Sequence, residues 1–338
     1  MTKKKRINSF TRLGDYLRSG DPALQHIAET AYNHNPWFTP ADVHRALAAT
    51  AHNLSNDRLQ DWLAPYPFDG DTDMTVGLVL AGNIPLVGFH DILCVLCAGY
   101  NVQVKTAAAD PILTFHLLTK LREIDPDFTA KISVTDRLAN FDLVIATGSD
   151  NSSRYFSYYF GDKPHIIRKN RNSVAILTGT ETNEELQLLG HDIFDYFGLG
   201  CRNVSKLFVP QGFDPADFFQ GITGFADIIN HHKYANNYDY NKSIYLINGD
   251  EHFDNGFLLL KPDERIASPL GVVYLETYAT GSELTERLEG LAPQLQCVVS
   301  KGQLPIATPV VQFGQSQQPA LDDYADGVNT LDFLAAHR

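Results

Sequence analysis

From residue 75 onward the chain alternates short apolar runs with longer amphipathic ones, and this alternation restricts the fold more than any other feature of the sequence. Residues 75–81 (Thr-Val-Gly-Leu-Val-Leu-Ala) are a short apolar run ending in Gly-Asn-Ile-Pro, the pattern of a buried strand that feeds a turn. The same reading predicts a helix over about 86–98, a strand over 101–105, a helix over about 112–124 and a strand over 141–147. A β-α-β-α-β order predicts a parallel, doubly wound sheet, because parallel strands need crossovers and the crossover helices cover the sheet faces. Ligands of such sheets bind at the carboxyl ends of the strands. Gly82 and Asn83 after the first strand, and Thr147, Gly148 and Ser149 after the last, fall there.

Residues 172–178 begin a second α/β region, with a helix over about 184–197 and strand-like runs at 206–209, 243–247, 257–261, 272–275 and 296–300. Upstream, residues 22–33 and 40–54 read as helices; Thr39-Pro40-Ala-Asp42 combines an N-cap, a proline at the first helical position and an acid in the first turn. The expected organisation is a helical N-terminal region over 1–68, a Rossmann-like dinucleotide-binding domain over 69–170 and a second α/β domain with the C-terminal tail over 171–338. No Ser/Gly-rich linker separates the two α/β domains, so they are expected to pack closely around a cleft.

A chain of 338 residues that is 44% hydrophobic and 20% charged has the composition of a folded globular protein large enough for two cores. Its formal charge of -13 argues against broad binding to nucleic acid or an anionic membrane, either of which would normally demand a basic face. No apolar run is long enough to span a membrane, and the basic start Lys3-Lys-Lys-Arg6 is not followed by a signal-peptide core, so the expected location is cytoplasmic.

In that compartment the four cysteines are not expected to form a disulfide framework. Cys94 and Cys97 lie in an apolar stretch that reads as a buried helix without a second ligand pair, and Cys297 reads as a strand residue. Cys201 differs. It sits between Gly198-Leu-Gly200 and a strand-like run, followed by Arg202, where a glycine approach, a cation and a helix N-terminus nearby would each favour the thiolate. By itself the position fits either a structural cysteine or a nucleophile.

Read with three upstream segments, the cysteine acquires a context. Ala81-Gly-Asn-Ile-Pro85, Ala98-Gly-Tyr-Asn-Val-Gln-Val-Lys105, Ala146-Thr-Gly-Ser149 and Gly198-Leu-Gly-Cys201 with Ser205-Lys-Leu-Phe-Val209 resemble, in order and approximate spacing, motifs of the aldehyde dehydrogenase superfamily. The resemblance runs from about residue 75 to the C-terminus. Within the superfamily the chain is most similar to the acyl-CoA reductase branch related to the fatty-acid reductase of bacterial luminescence, which Val311-Gln-Phe-Gly314 and Asp323-Tyr-Ala-Asp-Gly327 also match. The fold it implies is aldehyde-dehydrogenase-like α/β, two doubly wound α/β domains with the active-site cleft between them and a helical N-terminal region.

The resemblance implies Cys201 as nucleophile, and Asn83 as oxyanion donor beside the Cys201 backbone N–H. It also implies cofactor contacts from Lys105 (adenosine ribose or 2′-phosphate) and from Gly148 and Ser149 (pyrophosphate at a helix start). Taken singly, Lys105 is equally a solvated lysine and Ser149 a plain helix cap. No G-x-G-x-x-G is present, which the resembled family does without.

Two departures stand out. Where relatives that hydrolyse an acyl-enzyme carry a water-activating glutamate, this chain has His165-Ile-Ile-Arg-Lys-Asn-Arg-Asn-Ser173, with Arg168 or a neighbour in the glutamate position. A Glu-x-Phe-Gly-Pro segment is also absent, with Ala267-Ser-Pro-Leu-Gly271 near its expected place. A missing water-activating base favours reduction of a thioester over its hydrolysis. The implied activity is therefore reduction of an acyl-CoA or acyl-carrier-protein thioester to an aldehyde with NADPH, or with NADH. The alternatives are the same chemistry run oxidatively toward an acyl-CoA, and a non-catalytic subunit; a homo-oligomer or partner subunit is compatible with each. Asp250-Glu-His-Phe-Asp254 lacks a defined ligand spacing, so no metal is assigned. His231 and His232 with Tyr234, Tyr238 and Tyr240 read as a surface loop packing its own rings and are left out of the site.

Overall fold

The computed structural model describes residues 1–338, the Asp150 side chain apart. The chain divides into two compact units, residues 1–170 with 319–338, and residues 171–318.

The first unit starts with four helices, α1 (Lys3–Arg18), α2 (Pro22–Thr30), α3 (Pro40–Asn53) and α4 (Asn56–Leu63). The start signal read at Thr39 operates as expected, since its hydroxyl accepts from the Asp42 N–H at 3.3 Å with Pro40 in the first turn. Next come β1 (Thr75–Val79), α5 (Phe89–Cys97), β2 (Asn101–Lys105), α6 (Leu113–Ile124), β3 (Ile132–Val134), β4 (Leu143–Thr147), α7 (Asp150–Phe160) and β5 (His165–Arg168). The strands form a five-stranded sheet in the order β3-β2-β1-β4-β5, parallel throughout. Because β2 and β3 lie on one side of β1 and β4 and β5 on the other, the order reverses between β1 and β4, the switch point at which doubly wound sheets bind ligands. β3 and β5 are additions to the sequence reading; both are short edge strands with too little apolar periodicity to stand out.

The helical segment shares the first unit's core rather than standing apart, with Phe10, Leu13, Leu54 and Leu63 in one buried cluster with β1, α5 and β2. Arg6 on α1 is fully buried, yet its guanidinium reaches Cys97 O at 3.0 Å, Met1 O at 2.8 Å and Gly70 O at 2.9 Å, and the Asp71 carboxylate at 3.0 Å. A buried charge is tolerated only with partners of this kind.

The second unit contains β6 (Asn172–Ile176), α8 (Asn183–Phe194), β7 (Val204–Pro210), α9 (Pro215–Gly221), α10 (His232–Asn248), β8 (Phe253–Asp254), β9 (Leu259–Pro262), β10 (Val272–Tyr278), α11 (Gly281–Leu291), β11 (Leu295–Ser300) and β12 (Val310–Val311). Its seven strands run β12-β11-β6-β7-β10-β9-β8, with only β8 antiparallel to its neighbour among the described residues. α8 opens on a capping box between Thr182 and Glu185. The chain then returns to the first unit, where α12 (Thr330–Ala336) packs on α5 and Tyr100 Oη donates to Leu334 O at 2.8 Å.

The strand expected at 243–247 is instead the last part of α10. Tyr234, Tyr238, Asn241 and Tyr245 are buried at helical spacing while Leu246 and Ile247 are exposed, so the short apolar run belongs to a helix with one inward face. The surface loop expected around His231, His232 and the tyrosines is corrected for the same reason: His231 caps α10, and Tyr234 and Tyr238 are core residues.

Candidate active site

The carboxyl edge of the first sheet is built around Val79. Its register partners are Lys105 on β2 and Ala146 on β4, so Lys105 and the Thr147-Gly148-Ser149 segment flank the end of β1 on either side. Lys105 is half-buried at the last position of its strand, and its carbonyl accepts from the Leu80 N–H at 3.1 Å. Asn83 is exposed in the bend that follows β1.

That bend is held by a residue the sequence reading passed over. The Asp110 carboxylate, 4% exposed, accepts from Leu86 N–H at 3.1 Å, Leu113 N–H at 3.2 Å and the Thr114 hydroxyl at 3.3 Å, tying the Asn83 turn to the start of α6. Burial pushes this carboxyl above its ordinary range. The approach is so close that a Cβ on Gly82 would lie 2.5 Å from Ala107 Cβ, which only glycine avoids. An acid three residues before a helix start was the available signal.

Ser149 is the N-cap of α7, its hydroxyl accepting from the Ser152 N–H at 3.3 Å. Gly148 donates its N–H to Arg168 O at 3.4 Å, and a Cβ there would meet Ser152 Cβ and the Phe156 ring at 2.8 Å. Asn83, Lys105, Gly148 and Ser149 thus belong to the first unit and Cys201 to the second.

In the second unit the chain leaves α8 through a left-handed reversal at Tyr196 (φ 55°), Phe197 (φ 58°) and Gly198 (φ 77°). Left-handed backbone at a non-glycine residue costs on the order of 1–2 kcal/mol, so strain of this kind persists only where neighbouring contacts impose it. Cys201 follows, half-buried, in a tight turn closed by the Asn203 N–H on Gly200 O at 3.0 Å. The Ser173 hydroxyl on β6 donates to Cys201 O at 3.0 Å and lies 3.1 Å from Cys297 Sγ. Among the described residues no helix begins beside Cys201; Val204 enters β7, whose parallel pairing with β6 and β10 takes up the chain directly. The end of α8, a carbonyl end, is the helix terminus in contact with this turn.

Asn203 and Ser173 were not singled out from sequence. The Asn203 side chain, 3% exposed, takes the Gly200 N–H at 2.8 Å and donates to Asp192 O at 3.1 Å, Ile193 O at 3.3 Å and Asp195 O at 2.8 Å. An asparagine three residues after glycine in a turn was its signal.

Arg168, at the end of β5, faces inward. Its guanidinium pairs with the Asp91 carboxylate on α5 and donates to the Thr330 hydroxyl at 2.9 Å, both within the first unit. Cys94 and Cys97 are fully buried on α5, and burial pushes the first thiol well up and the second up to about 12, which keeps both protonated at neutral pH. Asp254 holds Lys242 at 2.6 Å and the Gly256 N–H at 2.8 Å, so it serves the α10 neighbourhood.

No protein-family model and no curated protein sequence matches the chain. Solved structures do match. Aldehyde dehydrogenase 21 from Physcomitrella patens, in complex with the reaction product succinate, superposes with a TM-score of 0.73 at 13% identity, covering 99% of this chain and 84% of that one. An aldehyde dehydrogenase of Mycobacterium tuberculosis complexed with NAD+ gives 0.70 at 12% identity, over 99% of this chain and 84% of that one. Betaine aldehyde dehydrogenase from Staphylococcus aureus in complex with NAD+ gives 0.64 at 14% identity, over 92% and 75%. At such identities the likeness is one of fold, and the chain has the aldehyde dehydrogenase fold.

Proposed function

We propose that the protein reduces an acyl thioester, an acyl-CoA or acyl-carrier-protein, to the aldehyde, with Cys201 as nucleophile and a nicotinamide cofactor as reductant. The observation that carries the reading is the construction around Cys201: a half-buried thiol in a tight turn, after a strained left-handed reversal, on a fold shared with enzymes solved with NAD+.

In this reading the Cys201 thiolate attacks the carbonyl carbon, and the bond to the CoA or carrier sulfur breaks with its electron pair leaving on that sulfur. A thiolate departs at neutral pH with little need of a general acid. The Asn83 amide and the Cys201 backbone N–H donate to the developing oxyanion, and loss of one such donor typically costs about a hundredfold or more in rate. When bound, the reduced nicotinamide cofactor supplies a hydride. Release of the aldehyde breaks the carbon–sulfur bond to Cys201 and returns its thiolate, so thioester, reduced cofactor and one proton balance aldehyde, thiol and oxidised cofactor.

The residues along the first sheet's edge suit such a cofactor in kind. Lys105 offers a cation for the adenosine ribose or 2′-phosphate, and the start of α7 at Gly148 and Ser149 offers N–H groups for the pyrophosphate. NADPH is the favoured donor and NADH the alternative. The inward pairing of Arg168 with Asp91 leaves that residue no part in activating water, which accords with reduction rather than hydrolysis.

The test follows cofactor oxidation with acyl-CoA esters of graded chain length and NADPH or NADH, comparing wild type with Cys201→Ala. The variant is expected to lose turnover by at least about a thousandfold. Intact-mass measurement without cofactor is expected to show one acyl adduct on wild type alone; a Cys201→Ala variant as active as wild type overturns the reading.

A further inference from the structure

We infer that Asn203 is the positioning residue for Cys201, its carboxamide bracketing the turn that presents the thiol and capping the carbonyl end of α8 against it. The inference rests on Cys201 being the nucleophile.

Both polar backbone groups of Gly200 are bound to this one residue, its N–H to Asn203 Oδ1 at 2.8 Å and its C=O to the Asn203 N–H at 3.0 Å. Cys201 and Arg202 are therefore the middle of a turn whose first residue, Gly200, is held twice by its last, Asn203. The clasp is itself anchored, because Asn203 Nδ2 donates to Asp192 O, Ile193 O and Asp195 O at 3.1, 3.3 and 2.8 Å. An ordinary helix cap needs donors only; here donor and acceptor ends serve different segments, and the segment between them is the left-handed reversal at Tyr196, Phe197 and Gly198. The side chain spans that reversal and fixes the distance from α8 to the thiol. At 3% exposure it does so without competition from water.

The same bonds have an electrostatic consequence. A helix C-terminus carries about half a negative charge on its unsatisfied carbonyls, which opposes a nearby thiolate. Asn203 Nδ2 donates to two carbonyls of the last turn of α8, Asp192 O and Ile193 O, and to Asp195 O just beyond it. Aspartate would keep size and the acceptor for Gly200 but set a charged oxygen against the same carbonyls. Alanine would remove clasp and cap together.

The experiment uses the full chain as wild type, Asn203→Ala, Asn203→Asp and Cys201→Ala. Three quantities are measured: thermal melting, kcat and KM for thioester reduction, and the pH dependence of iodoacetamide alkylation at Cys201, located by peptide mass spectrometry. The expected result is alkylation of Cys201 slowed about tenfold at neutral pH in both Asn203 variants, with the profile moved to higher pH. In both, kcat should fall on the order of tenfold to a hundredfold while KM stays within about threefold, since the thiol is misplaced rather than the substrate released.

A general loss of packing would lower melting without moving the alkylation profile of the folded fraction. Wild-type alkylation and wild-type kcat in a folded Asn203 variant overturn the inference, and if Asn203→Ala does not fold, Asn203→Asp decides. Turnover retained in Cys201→Ala would overturn the nucleophile reading separately, because alkylation reports on positioning without requiring turnover.

Discussion

The Ser173 hydroxyl donates to the carbonyl oxygen of Cys201 at 3.0 Å, attaching the cysteine turn to the strand that runs beneath it. Ser173 is fully buried, and Ser173→Ala removes this bond from the cysteine turn. Removal of such a bond costs about 1–3 kcal/mol. Chemical denaturation is expected to show that loss, and alkylation of Cys201 is expected to change several-fold; an unchanged denaturation midpoint and alkylation rate would contradict a role for the bond.

Arg168 and Asp91 form a buried pair inside the first unit. Arg168→Met leaves the Asp91 carboxylate buried and unpaired, which typically costs about 3–5 kcal/mol. The double variant Arg168→Met with Asp91→Leu is expected to recover most of that stability, as measured by urea unfolding. A double variant no more stable than Arg168→Met would argue against the ion pair as the reason for the loss.

Asp192 accepts Gly314 N–H at 2.6 Å and Ser316 N–H at 2.9 Å, and burial pushes its carboxyl above the ordinary range despite these bonds. A raised folded pKa means that the native state holds the proton more tightly than the unfolded chain does. The contribution is therefore fully present below the unfolded carboxyl pKa and is lost as pH rises through the folded value. Melting temperatures of wild type minus Asp192→Asn, followed from about pH 4 to about pH 7, are expected to decline as pH rises. A flat or rising difference would refute it.

Lys105 ends β2 at the carboxyl edge where the cofactor is proposed to lie. Lys105→Met is expected to raise KM for NADPH about tenfold or more while changing KM for NADH less, the signature of a 2′-phosphate contact. Equal effects on both cofactors would move the contact to the ribose, and no effect on either would remove Lys105 from the site.

Much of the fold was legible in the order of apolar runs. The β1, β2 and β4 segments were anticipated to within about two residues, because strands buried on both faces leave a short apolar run, as in β1 and β4, and a half-buried one leaves strict alternation, as in Asn-Val-Gln-Val-Lys of β2. The 243–247 run failed on the same signal. A few apolar residues fit either a strand or one face of a helix, and the burial of Tyr234, Tyr238 and Asn241 upstream decided for the helix.

The candidate site divides in the same way. Cys201, Asn83, Lys105, Gly148 and Ser149 were chosen from the sequence because four segments in order resemble motifs of one superfamily; by type and place alone Cys201 fitted a structural cysteine as well as a nucleophile, Lys105 a solvated lysine and Ser149 a plain helix cap. Asn203, Ser173 and Asp110 could not be chosen so, since their value lies in hydrogen bonds to backbone groups of other segments. The sequence by itself determined a parallel α/β architecture and the residue types that stand at the ends of its strands, because both follow from local periodicity and side-chain identity. Only the tertiary structure decided that residues 319–338 complete the first unit, that Arg168 turns inward to Asp91, and that an asparagine clasps the cysteine turn to the end of α8. Those outcomes depend on burial and on partners distant in the chain, which no local pattern encodes.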